Sequence, residues 1–136
     1  MREDKFARHL QNLFEANRPD VAELPTGEQM LTGVLYPQGE LTIDQQMHII
    51  EELIQAYTIV VKVRPTSWHI LLSTQTKRML NAASVLQIEL QQLFIMRIEE
   101  LLRGYDNLYP KWRQVLESAD CPVKIIQPFE ENVSNI

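Results

Sequence analysis

Residues 73–104 read STQTKRMLNAASVLQIELQQLFIMRIEELLRG, and this stretch decides the fold class. Apolar side chains recur in it at alternating spacings of four and three residues, which is the period of one buried face of an α-helix. This seam consists of Met79, Ala83, Leu86, Leu90 and Leu93. Residues suited to an N-cap precede the seam, and Gly104 follows it in the position of a C-terminal glycine. We therefore predict a long helix over about 74–103.

Further apolar side chains lie beside the seam, so this helix is apolar around most of its circumference. Such a helix has to be surrounded, either by other helices of the chain or by a second copy of the protein. Arg97 continues the seam where an apolar residue is expected, so its guanidinium needs a partner. The candidate interface with another subunit or partner is Arg97, Leu86, Leu90 and Leu93. Alternatively, the stem of Arg97 packs and its head reaches solvent or pairs locally with Glu100.

A second helix is predicted to begin at Thr42. Thr42 followed three residues later by Gln45 is a capping-box pattern. Apolar residues then follow at helical spacing, and they are Ile43, Met47, Ile50, Ile54, Tyr57 and Val61. Residues 57–63 are rich in β-branched side chains, so two readings of the end of this helix stay open. Either the helix continues to about Val63, or it ends earlier and a β-hairpin covers about 57–72.

The remaining segments are shorter and less regular. Residues 3–17 carry apolar side chains on one helical face, namely Phe6, Leu10, Leu13 and Phe14. Residues 18–40 hold three prolines and three glycines among scattered apolar side chains, which predicts an irregular connector that packs and has room for one helical turn. Pro110 suits the first turn of a further short helix, and residues 130–136 are expected to fray.

These elements predict a mainly α fold. A chain of 136 residues has the length of one domain. We expect a single-domain bundle of four or five helices around the long central helix at about 74–103. The alternative is an α+β fold with a small hairpin at about 57–72.

Motifs for catalysis or cofactor binding are missing from the sequence. The four glycines are at least six residues apart, which excludes the clustered glycines of phosphate-binding loops. The three histidines are far apart, and the single cysteine cannot form an intrachain disulfide. We therefore predict no enzyme activity, no catalytic residue, no metal site and no cofactor. With no secretory-type N-terminus and no apolar run long enough for a membrane span, the expected location is the cytoplasm.

Charge is unevenly distributed along this acidic chain, whose net charge is −5. Residues 15–52 contain eight acidic side chains and one basic one, whereas residues 53–88 contain four basic side chains and no acidic one. Three explanations of the asymmetry stay open. It arises by chance, the two halves lie against each other in the fold, or a basic face meets an acidic partner. The candidate partner-binding or nucleic-acid-binding residues are Lys62, Arg64, Trp68, His69, Lys77 and Arg78.

We expect a non-catalytic interaction or assembly protein, such as an adaptor, a small subunit or a specific chaperone of a cytoplasmic complex. The apolar central helix predicts self-association as a homodimer or larger assembly. The alternative is a nucleic-acid-binding accessory protein that uses the basic segment at 62–78, although the acidic pI of about 5.2 disfavours it. No membrane partner is expected.

Overall fold

The computed structural model describes residues 24–37, 39–63 and 67–126. This part of the chain folds into five α-helices and contains no β-strand. The helices are α1 at Gly27–Leu31, α2 at Ile43–Val63, α3 at Ile70–Ala83, α4 at Ile88–Leu102 and α5 at Tyr109–Leu116.

The prediction of a mainly α fold is therefore confirmed for the described part of the chain. The alternative hairpin at about 57–72 is wrong, because α2 continues to Val63 and the next helix begins at Ile70. The predicted helix at 3–17 and the predicted frayed tail at 130–136 lie outside the described residues. Of the five helices, none is both long and apolar enough to cross a membrane.

The prediction of one uninterrupted helix over about 74–103 is wrong. Two helices, α3 and α4, take its place, and a turn at residues 84–87 separates them. Helix α3 also begins earlier than predicted, at Ile70, because His69 caps its first turn. The apolar periodicity continues through the turn, which explains why it predicted a single helix.

Side chains around this turn bond to backbone groups that an unbroken helix would pair internally. The Gln87 amide donates to Gln46 Oε1 of α2 at 2.8 Å. Gln91 Nε2 donates to the carbonyl oxygens of Ser84 and Leu86, at 3.1 and 2.9 Å. A hydrogen bond within a protein contributes about 1 kcal/mol net, so these bonds stabilise the turn.

Helix α2 is the element around which the others pack. It contacts α1, α3 and α4, and with 21 residues it is the longest of the described helices. The capping box predicted at its start is confirmed. Thr42 Oγ1 accepts from the Gln45 amide at 3.1 Å, and Gln45 Oε1 accepts from the Thr42 amide at 2.9 Å. The central position predicted for the helix at 74–103 therefore belongs to α2.

The predicted connector at 18–40 contains α1 in its described part. Gly27 allows α1 to approach α2 closely, because a Cβ atom at this position would lie 1.9 Å from the Glu52 carbonyl oxygen. Met30 and Leu31 of α1 are buried in the core. In this described part, α1 thus packs closely against α2.

Helices α3 and α5 complete the core. The hydroxyls of Tyr57 on α2 and Thr76 on α3 are hydrogen bonded at 2.7 Å in its interior. Trp112 of α5 is fully buried. The short helix predicted around Pro110 is confirmed as α5, with the proline in its first turn.

Candidate functional site

An apolar groove lies between the last turns of α2 and the beginning of α3. Its volume is about 800 Å³. Among the described residues, its lining consists of Ile59, Val60, Val63, Trp68, His69, Ile70, Leu71 and Gln75. Six of these side chains are aliphatic or aromatic, so the groove favours apolar ligands or side chains.

The aliphatic side chains of this groove are unusually exposed. Ile70 is 87% exposed, Val63 72% and Ile59 65%. Leu71, at 59%, is also more than half exposed. Single exposed apolar side chains are common on proteins, but a cluster of them typically marks an interaction site. The groove is therefore the strongest candidate for a functional site in the described structure.

The groove arises because the C-terminal half of α2 carries apolar residues on two faces. Tyr57 and Val61 are fully buried, whereas Ile59 and Val63, one helical turn apart, are exposed. The seam predicted from the sequence contains the buried pair and leaves the exposed pair without a role. The signal for the exposed pair is the β-branched run at 57–63, since a helix with two apolar faces has to be covered on both.

His69 positions the first turn of α3 at the edge of the groove. It is the N-cap residue, and its Nδ1 accepts from the Leu72 amide at 3.1 Å. This bond requires an unprotonated Nδ1, and it satisfies one of the amides that the start of a helix leaves unpaired. In the same lining, Gln75 Oε1 is buried and has no hydrogen-bond partner. This oxygen has almost no accessible surface, so the part of the groove open to a ligand is mainly apolar.

The segments that form the groove contain basic side chains and no acidic one. Residues 53–88 contain no acidic side chain. Lys62 is exposed and lies one helical turn from Ile59 on α2. Helix α3 has no acidic residue in its first turn, so no carboxylate there compensates the positive end of its dipole. Among the described residues, the groove thus combines an apolar lining with a flanking cation, Lys62, and the positive end of the α3 dipole.

The residues predicted to bind a partner or nucleic acid are divided between two cavities. Those at the groove are Lys62, which flanks it, and the lining residues Trp68 and His69. Those that line a second cavity are Lys77 and Arg78. Arg64 lies outside the described residues.

The second cavity has a volume of about 420 Å³ and lies between α3 and the segment that follows α5. Its lining includes the cations Lys77 and Arg78 and the carboxylate of Asp120. The Ser118 hydroxyl donates to Asp120 and lowers the pKa of that carboxyl, which keeps it ionised. Because the carboxylate offsets the cations, the preference of this cavity for anions is weak.

The residues predicted as a subunit interface take part in packing within this chain. Leu86 is buried, and Leu90 and Leu93 are half-buried against the core. Arg97 forms an ion pair with Glu51 of α2 and not with a neighbour on its own helix. The hydrogen bond from Arg97 holds the pKa of Glu51 below its ordinary value. A role for these residues between subunits stays a prediction.

The described part of the chain holds no group of three or more His, Cys, Asp or Glu side chains arranged to bind a metal ion. Candidate binding sites in this part of the chain are the groove and the second cavity. No family model, curated protein or solved structure matches this chain, so a functional assignment depends on the geometry and charge of these sites.

Proposed function

We propose that this protein is a non-catalytic interaction or assembly protein, an adaptor, small subunit or specific chaperone, that docks a partner in the groove between α2 and α3. The exposure of four large aliphatic side chains in one groove carries the proposal. Fully burying such a side chain stabilises a complex by roughly 1.5–3 kcal/mol, so covering these four favours association by several kcal/mol. A cytoplasmic location is part of the proposal, supported by the single cysteine, which is a buried free thiol.

The lining of the groove supports docking more than catalysis. Among its described lining residues, His69 is the one titratable group, and its Nδ1 already accepts the Leu72 amide. Acid–base or nucleophilic catalysis needs at least two groups within hydrogen-bond reach of a substrate. The groove instead presents apolar contact area.

Capture experiments with the tagged full-length protein test this function in extracts of the source cells. Ile70→Glu places a charge in the groove, and a glutamate in the first helical turn complements the helix dipole, so this variant is expected to fold. Ile88→Glu is the matched control, because Ile88 is also the first residue of a helix and more than half exposed. We expect the wild type and the control to retain a common partner that Ile70→Glu loses. Identical captured proteins for all three chains would contradict the proposal.

Self-association is a second part of the proposal. Its support is the exposure of large apolar side chains outside the groove, among them Ile43 on α2 and Met96 on α4, both of them more than half exposed. Light scattering over a range of protein concentrations measures the oligomeric state. A strict monomer at high concentration would contradict self-association while leaving the docking function intact.

Nucleic-acid binding has less support. A platform for single strands places aromatic rings beside cations along one path. Here Trp68 lines the groove, whereas Lys77 and Arg78 line a cavity that also contains Asp120. A salt titration of binding to labelled oligonucleotides decides the question, since phosphate contacts weaken steeply with ionic strength. No binding at low salt would eliminate this function.

A further inference from the structure

The surroundings of the groove define the chemistry of its partner more closely than its apolar lining does. We propose that the groove binds an amphipathic α-helix of another protein, whose apolar stripe is bordered by acidic side chains. This inference rests on the proposed docking function and adds the class of partner to it.

The shape of the groove suits a helix. Ile59 and Val63 lie one turn apart on α2, and Ile70 and Leu71 lie in the first turn of α3. An amphipathic helix presents anchors at i, i+3 or i+4 and i+7, a spacing of one turn that matches the exposed pair on α2. Trp68, half-buried against the core, adds an aromatic surface to the same lining.

Acidic side chains beside the apolar stripe would meet favourable charges on both sides of the groove. Lys62 is exposed on α2, next to Val63. At the start of α3, the amides of Ile70 and Leu71 have no acceptor within the helix, and no acidic residue of the first turn compensates them. Because residues 53–88 contain no acid, these segments present no like charge to such a partner.

A second copy of the chain fits this groove less well. In a two-fold symmetric contact the same surface meets itself, which brings both Lys62 side chains and both α3 N-termini to one interface. A contact between the acidic half of one copy and the groove of the next is head-to-tail, and it closes only into a ring. An acidic helix from a different protein has neither restriction.

Fluorescence anisotropy with two synthetic peptides tests this inference on the full-length protein. Both peptides are helical and share one leucine stripe, which is bordered by glutamates in the first peptide and by lysines in the second. We expect the glutamate peptide to bind at least about tenfold more tightly at low salt, with a difference that shrinks as salt rises. Ile70→Glu should weaken its binding by about tenfold to hundredfold, whereas Ile88→Glu should leave it unchanged. Lys62→Glu should reduce the preference for the glutamate peptide.

The alternative outcomes separate this inference from the docking function. Equal binding of the two peptides, still lost in Ile70→Glu, overturns the acidic character of the partner and leaves the docking function standing. If neither peptide binds, the inference is overturned, and the capture experiment decides the docking function independently. A dimer that Ile70→Glu dissociates would make a second copy the occupant. If Leu10→Asp binds the peptide more tightly than the wild type does, the occupant is the apolar stripe at the N-terminus of this chain. The dimer result and the Leu10→Asp result would each overturn the inference.

Discussion

We expect Thr76→Val to destabilise the protein more than Tyr57→Phe, although both variants remove the same hydrogen bond. Thr76 Oγ1 lies 2.7 Å from the Leu72 carbonyl oxygen and donates its single proton there. The Tyr57 hydroxyl must therefore be the donor in its 2.7 Å contact with Thr76 Oγ1. Both residues are fully buried, so water does not replace a lost partner.

The direction of this bond determines the cost of each variant. In Thr76→Val, the Tyr57 hydroxyl becomes a buried donor without an acceptor, which costs roughly 1–3 kcal/mol. In Tyr57→Phe, the Thr76 hydroxyl keeps its bond to Leu72, and the loss is about 1 kcal/mol. The double variant leaves no donor unpaired, so its cost should fall about 1 kcal/mol or more below the sum of the single costs.

Urea unfolding followed by circular dichroism measures the free energy of unfolding of the wild type and the three variants, and an unchanged slope shows that each still unfolds in the same way. Equal costs for the two single variants, together with an additive double variant, would refute the assigned direction of the bond.

The same pair predicts a dependence on high pH. Burial raises the pKa of Tyr57 from 10.0 to about 12. The folded state thus favours the neutral phenol. The contribution of Tyr57 to the free energy of unfolding is complete below pH 10, and it is lost as the pH rises toward 12, because the unfolded chain loses this proton first. Tyr57→Phe lacks this loss, and the difference in stability between the wild type and this variant should shrink between about pH 8 and pH 11. A constant difference would contradict the burial of an ionisable phenol.

Two further perturbations test the packing of α1 and the turn between α3 and α4. Gly27→Ala should cost at least about 3 kcal/mol, because its Cβ would lie 1.9 Å from the backbone oxygen of Glu52, which no side-chain rotation relieves. Gly104→Ala is the control, because the nearest atom to its added Cβ would lie 3.9 Å away. Its free energy of unfolding should change by no more than about 1 kcal/mol. Equal free energies of unfolding for the two variants would contradict the close approach of α1 to α2. Gln46→Leu removes the acceptor of the Gln87 amide and should cost about 1 kcal/mol, because this bond is only partly buried. Hydrogen exchange by NMR should show faster exchange at Gln87, and unchanged protection there would contradict the role of this side chain.

The sequence predicts the start of helix α2 but not its end. The hydroxyl and amide groups of its capping box are three residues apart, so the pattern at Thr42 and Gln45 is readable without a fold. The β-branched run at 57–63 left its end open, because such residues suit a strand equally well. The structure keeps this run helical, with Tyr57 and Val61 filling the core one turn apart.

The break between α3 and α4 explains why Arg97 looked misplaced in the sequence. In one continuous helix, Arg97 would follow Leu90 and Leu93 on the buried seam. The turn at 84–87 resets the phase, and the buried residues of α4 are Phe94, Ile95, Ile98 and Leu102. Arg97 therefore lies at the edge of the buried face, where it reaches Glu51 of α2.

The sequence predicts some of the residues that line the groove and misses others. The basic and aromatic segment of the sequence predicts Trp68 and His69 as binding residues, and both line the groove. The sequence does not distinguish Ile59, Val63 and Ile70 from core residues, because an apolar residue in a helix is ordinarily buried. Only the position of neighbouring helices shows which apolar faces stay uncovered.

The sequence by itself determined the helical class, the start of α2 and the short helix α5, because caps and apolar periodicity act between residues at most a few positions apart. Tertiary structure alone decided the break at 84–87, the ion pair of Arg97 and the exposure of the groove. The physical reason is distance along the chain: the Gln87 amide finds its acceptor 41 residues away on Gln46, and Arg97 finds its carboxylate 46 residues away on Glu51. A periodicity describes one helix, whereas these features depend on which helices pack together.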